Sequence, residues 1–227
     1  MAKVFIGAGH GGKDGGAVGK NGSLEKDLNL SIAKACAAAL ERHGVTVKLS
    51  RTRDENDPVD QEVAECNSFK PDLAVDIHNN AGGGDGAETF YSRAGGNSKK
   101  LAENILTQIT KLGQKSRGAK KRLNSSGSDY YAFIRNTKAP AAIVECAFVD
   151  SDDIALIDTE AERKAVGEAI ARGILQTLGT PYQPAGSPGT GSNLYRVQVG
   201  AFTKRENATA LVSRLKAAGF EATILTN

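Results

Sequence analysis

The sequence predicts an α/β protein: a twisted, mostly parallel sheet with helices on both faces, followed by a small C-terminal βαβ unit. Three observations carry that expectation. Along residues 1–178, short apolar runs of strand length alternate with longer segments of helical periodicity, and repeated β-α-β order builds parallel sheets covered on both faces. Residues 179–192 (GTPYQPAGSPGTGS) are rich in proline and glycine and have no periodicity, which marks a flexible linker. Residues 193–227 then repeat a strand–helix–strand pattern on a smaller scale.

Taken in order, Lys3–Ala8 reads as a strand. Lys26–His43 reads as a helix stopped by Gly44, with Leu24, Leu28, Ile32, Cys36 and Leu40 recurring every four residues on one face. His43, near that helix end, is a C-terminal helper. Val45–Ser50 is the next strand and Val59–Phe69 a helix. Asp72–His78 and, after a glycine-rich loop, Ala87–Ser92 are strands. Ser98–Leu112 is a helix with Leu101, Ile105, Ile109 and Leu112 on one side. Ala141–Phe148 is a strongly apolar strand, and Glu160–Leu178 closes the domain as a helix. In the tail, Leu194–Gly200 alternates as a strand, and Lys204–Ala218 has helical spacing at Ala208, Leu211, Leu215 and Ala218. Phe220–Leu225 is a second strand. A unit spanning only residues 193–227 is too small to be self-sufficient and leaves an apolar face and sheet edges without partners. The expectation is a homodimer in which two tails pair.

Charge and cysteine content exclude several classes. The net charge of +3 resides in residues 193–227, where five basic side chains face two acidic ones, so residues 1–192 balance to zero. A neutral main domain does not bind nucleic acid as a polyanion. No apolar run reaches the length of a membrane span, and the N-terminus passes directly into a strand, so the expectation is a protein without a secretory signal, made in the cytoplasm, or one whose signal has been removed. Three widely spaced cysteines, Cys36, Cys66 and Cys146, argue against a disulfide framework. The basic stretch Lys111–Arg122 (KLGQKSRGAKKR) reads first as a solvated loop, and otherwise as the lining of a substrate cleft or a contact for acidic wall polymers.

Four residues carry the chemistry: His10, Glu25, His78 and Glu145. His10 follows the first strand, His78 ends the third, Glu145 lies near the end of the strong apolar strand and Glu25 opens the first long helix. Ligands collect at the carboxyl ends of parallel strands, and all four can reach that edge. Singly, each has an ordinary reading: His10 and His78 as turn residues, Glu25 as a helix-start acid, Glu145 as a satisfied buried carboxylate. Together, two imidazoles and one carboxylate make a catalytic Zn2+ set with an open position for water. Glu145, the one charge within Ala141–Val149, is then the general base that takes the water's proton. Gly7-Ala8-Gly9-His10-Gly11-Gly12 also fits a dinucleotide fingerprint, but further glycines follow and helical periodicity begins only near Leu24, so no helix N-terminus is available for a pyrophosphate.

At these residues the chain resembles the zinc-dependent N-acetylmuramoyl-L-alanine amidases of the Amidase_3 family, which includes autolysins and phage endolysins. Ile6–Gly12 is similar to the strand followed by Gly-His-Gly-Gly, Leu24–Leu28 to the glutamate opening the first helix, and Ser50-Arg51-Thr52 to the family's "SRT". Asp76–Asn80 is similar to the second histidine motif, and Val144–Val149 to the catalytic glutamate motif. Two departures stand out. The arginine of an "R…AN" motif is absent from Glu62–Asn67, and Asp76 replaces a small residue, where it either orients a ligand or points into a helix layer. The tail, from Leu194 to Phe202, resembles the opening of a single SPOR-like peptidoglycan-binding repeat.

The resemblance implies hydrolysis of the amide between N-acetylmuramic acid and the L-alanine of the stem peptide in bacterial peptidoglycan. A zinc peptidase acting within that stem is the alternative. It implies metal ligands His10, Glu25 and His78, general base Glu145, and substrate contacts at Asn79 and Asn80. The expected life history is synthesis in the cytoplasm and action on the cell wall after release, with no membrane association.

Overall fold

The structure, a computed structural model, describes residues 1–184, 198–220 and 222–224. The chain divides into two compact units, Met1–Gly189 and Thr190–Asn227. The first contains, in order, β1 (Lys3–Ala8), α1 (Glu25–Arg42), β2 (Thr46–Leu49), α2 (Val59–Phe69), β3 (Leu73–Asn80), β4 (Ala87–Tyr91), α3 (Gly96–Thr110), β5 (Ser116–Lys120), α4 (Ala132–Asn136), β6 (Ala141–Phe148), a 3-10 turn (Asp152–Leu156) and α5 (Glu160–Leu178). The six strands form one sheet in the order β2-β1-β3-β6-β4-β5. All neighbours are parallel except β4 and β6, so β4 and β5 run against the other four.

Strand alternation sends side chains to two unlike faces. One carries Ile6, Ala8, Val75, Ile77, Val144 and Cys146, covered by Ile32 of α1, Ile105 of α3 and Ile170 of α5. Glycines let these helices close: a Cβ on Gly173 of α5 would stand 2.5 Å from the Ile105 Cα. The second face begins with Phe5, Ala74, Ile143 and Phe90, packed under Val63 and Cys66 of α2 and Phe133 and Ile134 of α4. Further along the same strands this face turns polar. Gly7 pairs with Asp76, and one row beyond, His78, Glu145 and Glu88 lie side by side on β3, β6 and β4.

The strands and helices expected within residues 1–178 form with small shifts at their ends, and β5, α4 and the 3-10 turn are additional. The expected solvated loop within Lys111–Arg122 is instead built around the edge strand β5. Its Arg117 and Lys120 both bond Glu88 on β4. Its polar sequence lacks the apolar alternation that announces a strand, as edge strands often do. The short α4 was likewise too brief to show a period. His43 does serve the end of α1: Nδ1 bonds the Ala39 carbonyl at 2.7 Å, and Nε2 accepts the Gln183 backbone N–H at 2.8 Å. Its ring stacks on Tyr182, so residues 182–183, expected in the linker, are tied to this unit.

In the second unit, α6 (Arg205–Ala217) forms as expected, stopped at Gly219 with φ of 86°. The helix buries none of its residues, and Val199, Phe202 and Phe220 are exposed. The described residues 198–200 and 222–224 have no ladder partner and are not strands. The rest of both expected strands, and residues 185–192 of the linker, lie outside the described residues. Among the described residues no helix is long and apolar enough to cross a membrane.

Candidate metal centre

The loop after β1 makes the first half of the site. His10 adopts φ of 64°, a left-handed conformation that ordinary residues enter at a cost. The loop is closed by Gly9 N–H to the Ile77 carbonyl (3.0 Å) and by mutual bonds between Gly11 and Asp14 (2.9 and 3.1 Å). Arg51, fully buried despite its charge, threads beneath it and donates to the carbonyls of Ala8 (2.8 Å), Gly9 (3.3 Å) and Lys26 (2.7 Å). That explains the Ser-Arg-Thr segment: the guanidinium ties β1, its loop and the start of α1 together. Two glycines are required by close approach. A Cβ on Gly9 would stand 2.1 Å from the His78 ring, and one on Gly16 would stand 2.6 Å from Glu25 Oε2.

Glu25, the first residue of α1, is nearly fully buried and divides its two oxygens between the imidazoles. Oε2 lies 3.2 Å from His10 Nε2, and Oε1 lies 3.2 Å from His78 Nδ1. The rings meet edge to face, with centroids 5.0 Å apart. One ligand atom from each of His10, Glu25 and His78 lies within 4.8 Å of the others, the separation a single ion requires. Burial opposes the charge on Glu25, but bonds from His10 and His78 outweigh it and hold the carboxyl well below its usual range. Glu25 also accepts the backbone N–H groups of Ala17 (2.9 Å) and Asn79 (3.1 Å).

Each imidazole is gripped on its far side by a carboxylate. His10 Nδ1 bonds Asp14 Oδ2 at 2.8 Å, and His78 Nε2 bonds Asp76 Oδ2 at 3.0 Å. Such outer partners fix which ring nitrogen faces the metal position. The bond to Glu25 raises the pKa of His10. For His78, burial works downward, but the charge and hydrogen bond of Asp76 carry it well above its ordinary value.

Glu145 is adjacent to His78 in the β3–β6 ladder and to Glu88 in the β6–β4 ladder. Burial pushes its carboxyl up to about 7, with the charges of Glu25, Asp76 and Glu88 adding to the rise against the pull of His78. A carboxyl pushed up toward neutrality beside the His78 imidazole is poised for proton transfer.

Comparison with known proteins agrees with this geometry. The sequence pattern of the N-acetylmuramoyl-L-alanine amidase family matches residues 4–176. The chain belongs to the N-acetylmuramoyl-L-alanine amidase family. It hydrolyses peptidoglycan at the amide between N-acetylmuramic acid and L-alanine. The chain is 32% identical over 229 residues to a sporulation-specific N-acetylmuramoyl-L-alanine amidase of Bacillus subtilis, covering 99% of this chain and 85% of that protein. It is 37% identical over 194 residues to an endolysin of Bacillus phage SPP1, covering 81% of this chain and 69% of the endolysin. The catalytic domain of CwlV, an amidase from Bacillus (Paenibacillus) polymyxa var. colistinus, superimposes with a TM-score of 0.72 at 30% identity, covering 80% of this chain and 100% of that domain. A SPOR domain matches residues 168–226, a span that begins inside α5.

The amidase site contains more than sequence reasoning assigned. Asn29, one turn after Glu25, is wholly buried and donates to Glu25 Oε1 (3.2 Å) and the Gly9 carbonyl (3.0 Å). A polar residue beside the apolar stripe of α1 was its available signal. Asp14 had none, because its spacing from His10 spans a loop. Asn79 points inward to Asn29 at 2.8 Å, so its side chain supports the ligand cluster. Asn80 is half-buried and donates to Glu88 Oε1 at 2.8 Å, on the polar half of the sheet face.

Proposed function

We propose that this amidase is zinc-dependent, with His10, Glu25 and His78 as metal ligands and Glu145 as the proton carrier. The carrying observation is the convergence of two imidazole nitrogens and one carboxylate oxygen within 4.8 Å, each ring held from behind by a carboxylate. That donor set suits zinc with a position left for water or substrate. The bound ion would polarise the scissile carbonyl and acidify water toward a pKa of ~7. The chain's own residues do the rest. Glu145 takes a proton from the attacking water and delivers it to the L-alanine nitrogen as the C–N bond breaks. Its pKa of about 7 suits both halves of that exchange. Glu88 is held by Lys120 and Arg117, which keeps it ionised beside Glu145 and favours the protonated form of its neighbour. Asn80, at the end of β3, is the proposed substrate contact, while Asn79 acts on substrate only through the position of Glu25.

Product analysis on purified peptidoglycan tests the assignment. Free lactyl ends and new L-alanine amino termini are expected, lost on chelation and restored by zinc. Activity undiminished by exhaustive chelation would remove the metal from the mechanism.

The tail supports a second, separate reading. Its helix buries none of its residues, and Val199, Phe202 and Phe220 are exposed, so pairing with a second copy remains our explanation of residues 193–227. A monomeric mass at micromolar concentration would end it. Action on the wall after release from the cytoplasm, in the manner of an endolysin or autolysin, is the proposed setting.

A further inference from the structure

Beneath the metal ligands, two buried carboxylates meet. Glu62 of α2 and Asp76 of β3 are 4% and 3% exposed. Glu62 Oε1 and Asp76 Oδ1 both lack a hydrogen-bond partner. Both are aimed at one point, above Gly7: a Cβ there would stand 2.0 Å from Glu62 Oε1 and 2.6 Å from Asp76 Oδ1. Gly7 pairs with Asp76 in the ladder, so its missing side chain is what lets the two carboxyl groups approach.

Two ionised carboxylates buried side by side repel strongly, and one shared proton removes the repulsion while supplying the missing donor. Arg51 bonds neither of them, since its guanidinium donates to backbone carbonyls. The second oxygen of Asp76 is already engaged as an acceptor by His78 Nε2 at 3.0 Å. Burial and the Asp76 charge raise the Glu62 carboxyl well above its usual range. Both observations seat the proton on Glu62.

We propose that Glu62 is a positioning residue of the metal centre: its neutral carboxyl donates to Asp76 Oδ1, which fixes Asp76 so that Oδ2 holds the Nε2–H of His78 and leaves Nδ1 facing Glu25. The inference rests on His78 being a metal ligand, and no proton moves in it. The required property of residue 62 is a neutral donor of the right length. Glutamine has that property, and methionine has only the size.

Zinc affinity of the full chain, measured by competition with a chromophoric chelator at one pH, separates the cases. E62Q is expected to bind zinc as the unaltered chain does. E62M, which fills the space without a donor, is expected to bind about 10–100-fold more weakly, the usual cost of losing an outer-sphere partner. A purely space-filling role predicts full affinity for E62M and would overturn the proposal. Weakened binding in E62Q would overturn it too, because it would mean that residue 62 must be charged. Should E62M not fold, E62L, which also lacks a donor, is measured in its place with the same expectation. If the unaltered chain bound no zinc, the ligand assignment itself would fail, a result distinct from any change at residue 62.

Discussion

The two faces of one sheet show how this molecule separates stability from chemistry. The same six strands supply both. On one face α1, α3 and α5 cover the sheet to its edge, and every inward residue named above is apolar. On the other, the apolar cover of α2 and α4 ends with Phe5, Ala74, Ala141, Ile143 and Phe90. Past that cover the same alternation delivers Asp76, His78, Glu145 and Glu88 to the carboxyl end of the central strands. The difference is one of cover rather than of strand geometry. Ending the apolar cover halfway along one face leaves room for the polar cluster, and the fully packed opposite face keeps the strands fixed beneath it.

Four substitutions probe this contrast, taken from the largest effect to the smallest. His78→Ala is expected to abolish both stoichiometric zinc binding and turnover while leaving the circular dichroism unchanged; retention of either would remove His78 from the centre. Ile105→Ala, on the closed face, should cost about 2–5 kcal/mol of unfolding free energy in urea titrations. Turnover per folded molecule should not change, and a loss of turnover without a loss of stability would break the division between faces.

Glu145→Gln gives a pH-dependent stability change of predictable sign. The folded-state pKa near 7 lies above the unfolded value near 4.5, so the carboxyl's contribution is fully present below about pH 4.5 and is lost as pH rises through 7. Glutamine does not titrate. The metal-free variant should therefore gain on the order of 2–3 kcal/mol over the metal-free parent at pH 8, with no relative gain on this account below pH 4.5. An equal difference at both pH values would show that Glu145 ionises freely in the fold. Last, Asp14→Ala should weaken zinc binding about 10–100-fold without altering the melting of the metal-free protein. No change in affinity would mean that His10 needs no support on its far side.

Much of this was legible in the sequence because the signals were long or chemically rare. Val59–Phe69, Ala141–Phe148 and Glu160–Leu178 carried enough periodicity or apolar run to be placed at their observed limits. The four catalytic-set residues stood at strand and helix ends, where topology alone brings them to one edge. Other features were not legible, for definite reasons. β5 is a polar edge strand with no alternation, and α4 is five residues long, shorter than two helical turns. Asp14 and Asn29 matter through contacts that only a closed loop creates. Asp76 left two readings open, and its side chain meets both: Oδ2 bonds His78, while Oδ1 turns toward Glu62 of α2. Glu62 stood in the segment where the family's arginine is missing, but nothing in the sequence said that it would meet Asp76.

The central claim is that the open half-face divides its work, with three residues holding the metal and Glu145 moving the proton. Zinc content and turnover of Glu145→Gln on purified peptidoglycan test it most directly. The expected result is one zinc per chain with turnover reduced by about 10²–10⁴-fold, the range for loss of a general acid–base group. Full turnover in the zinc-loaded variant, or loss of the zinc itself, would contradict the account.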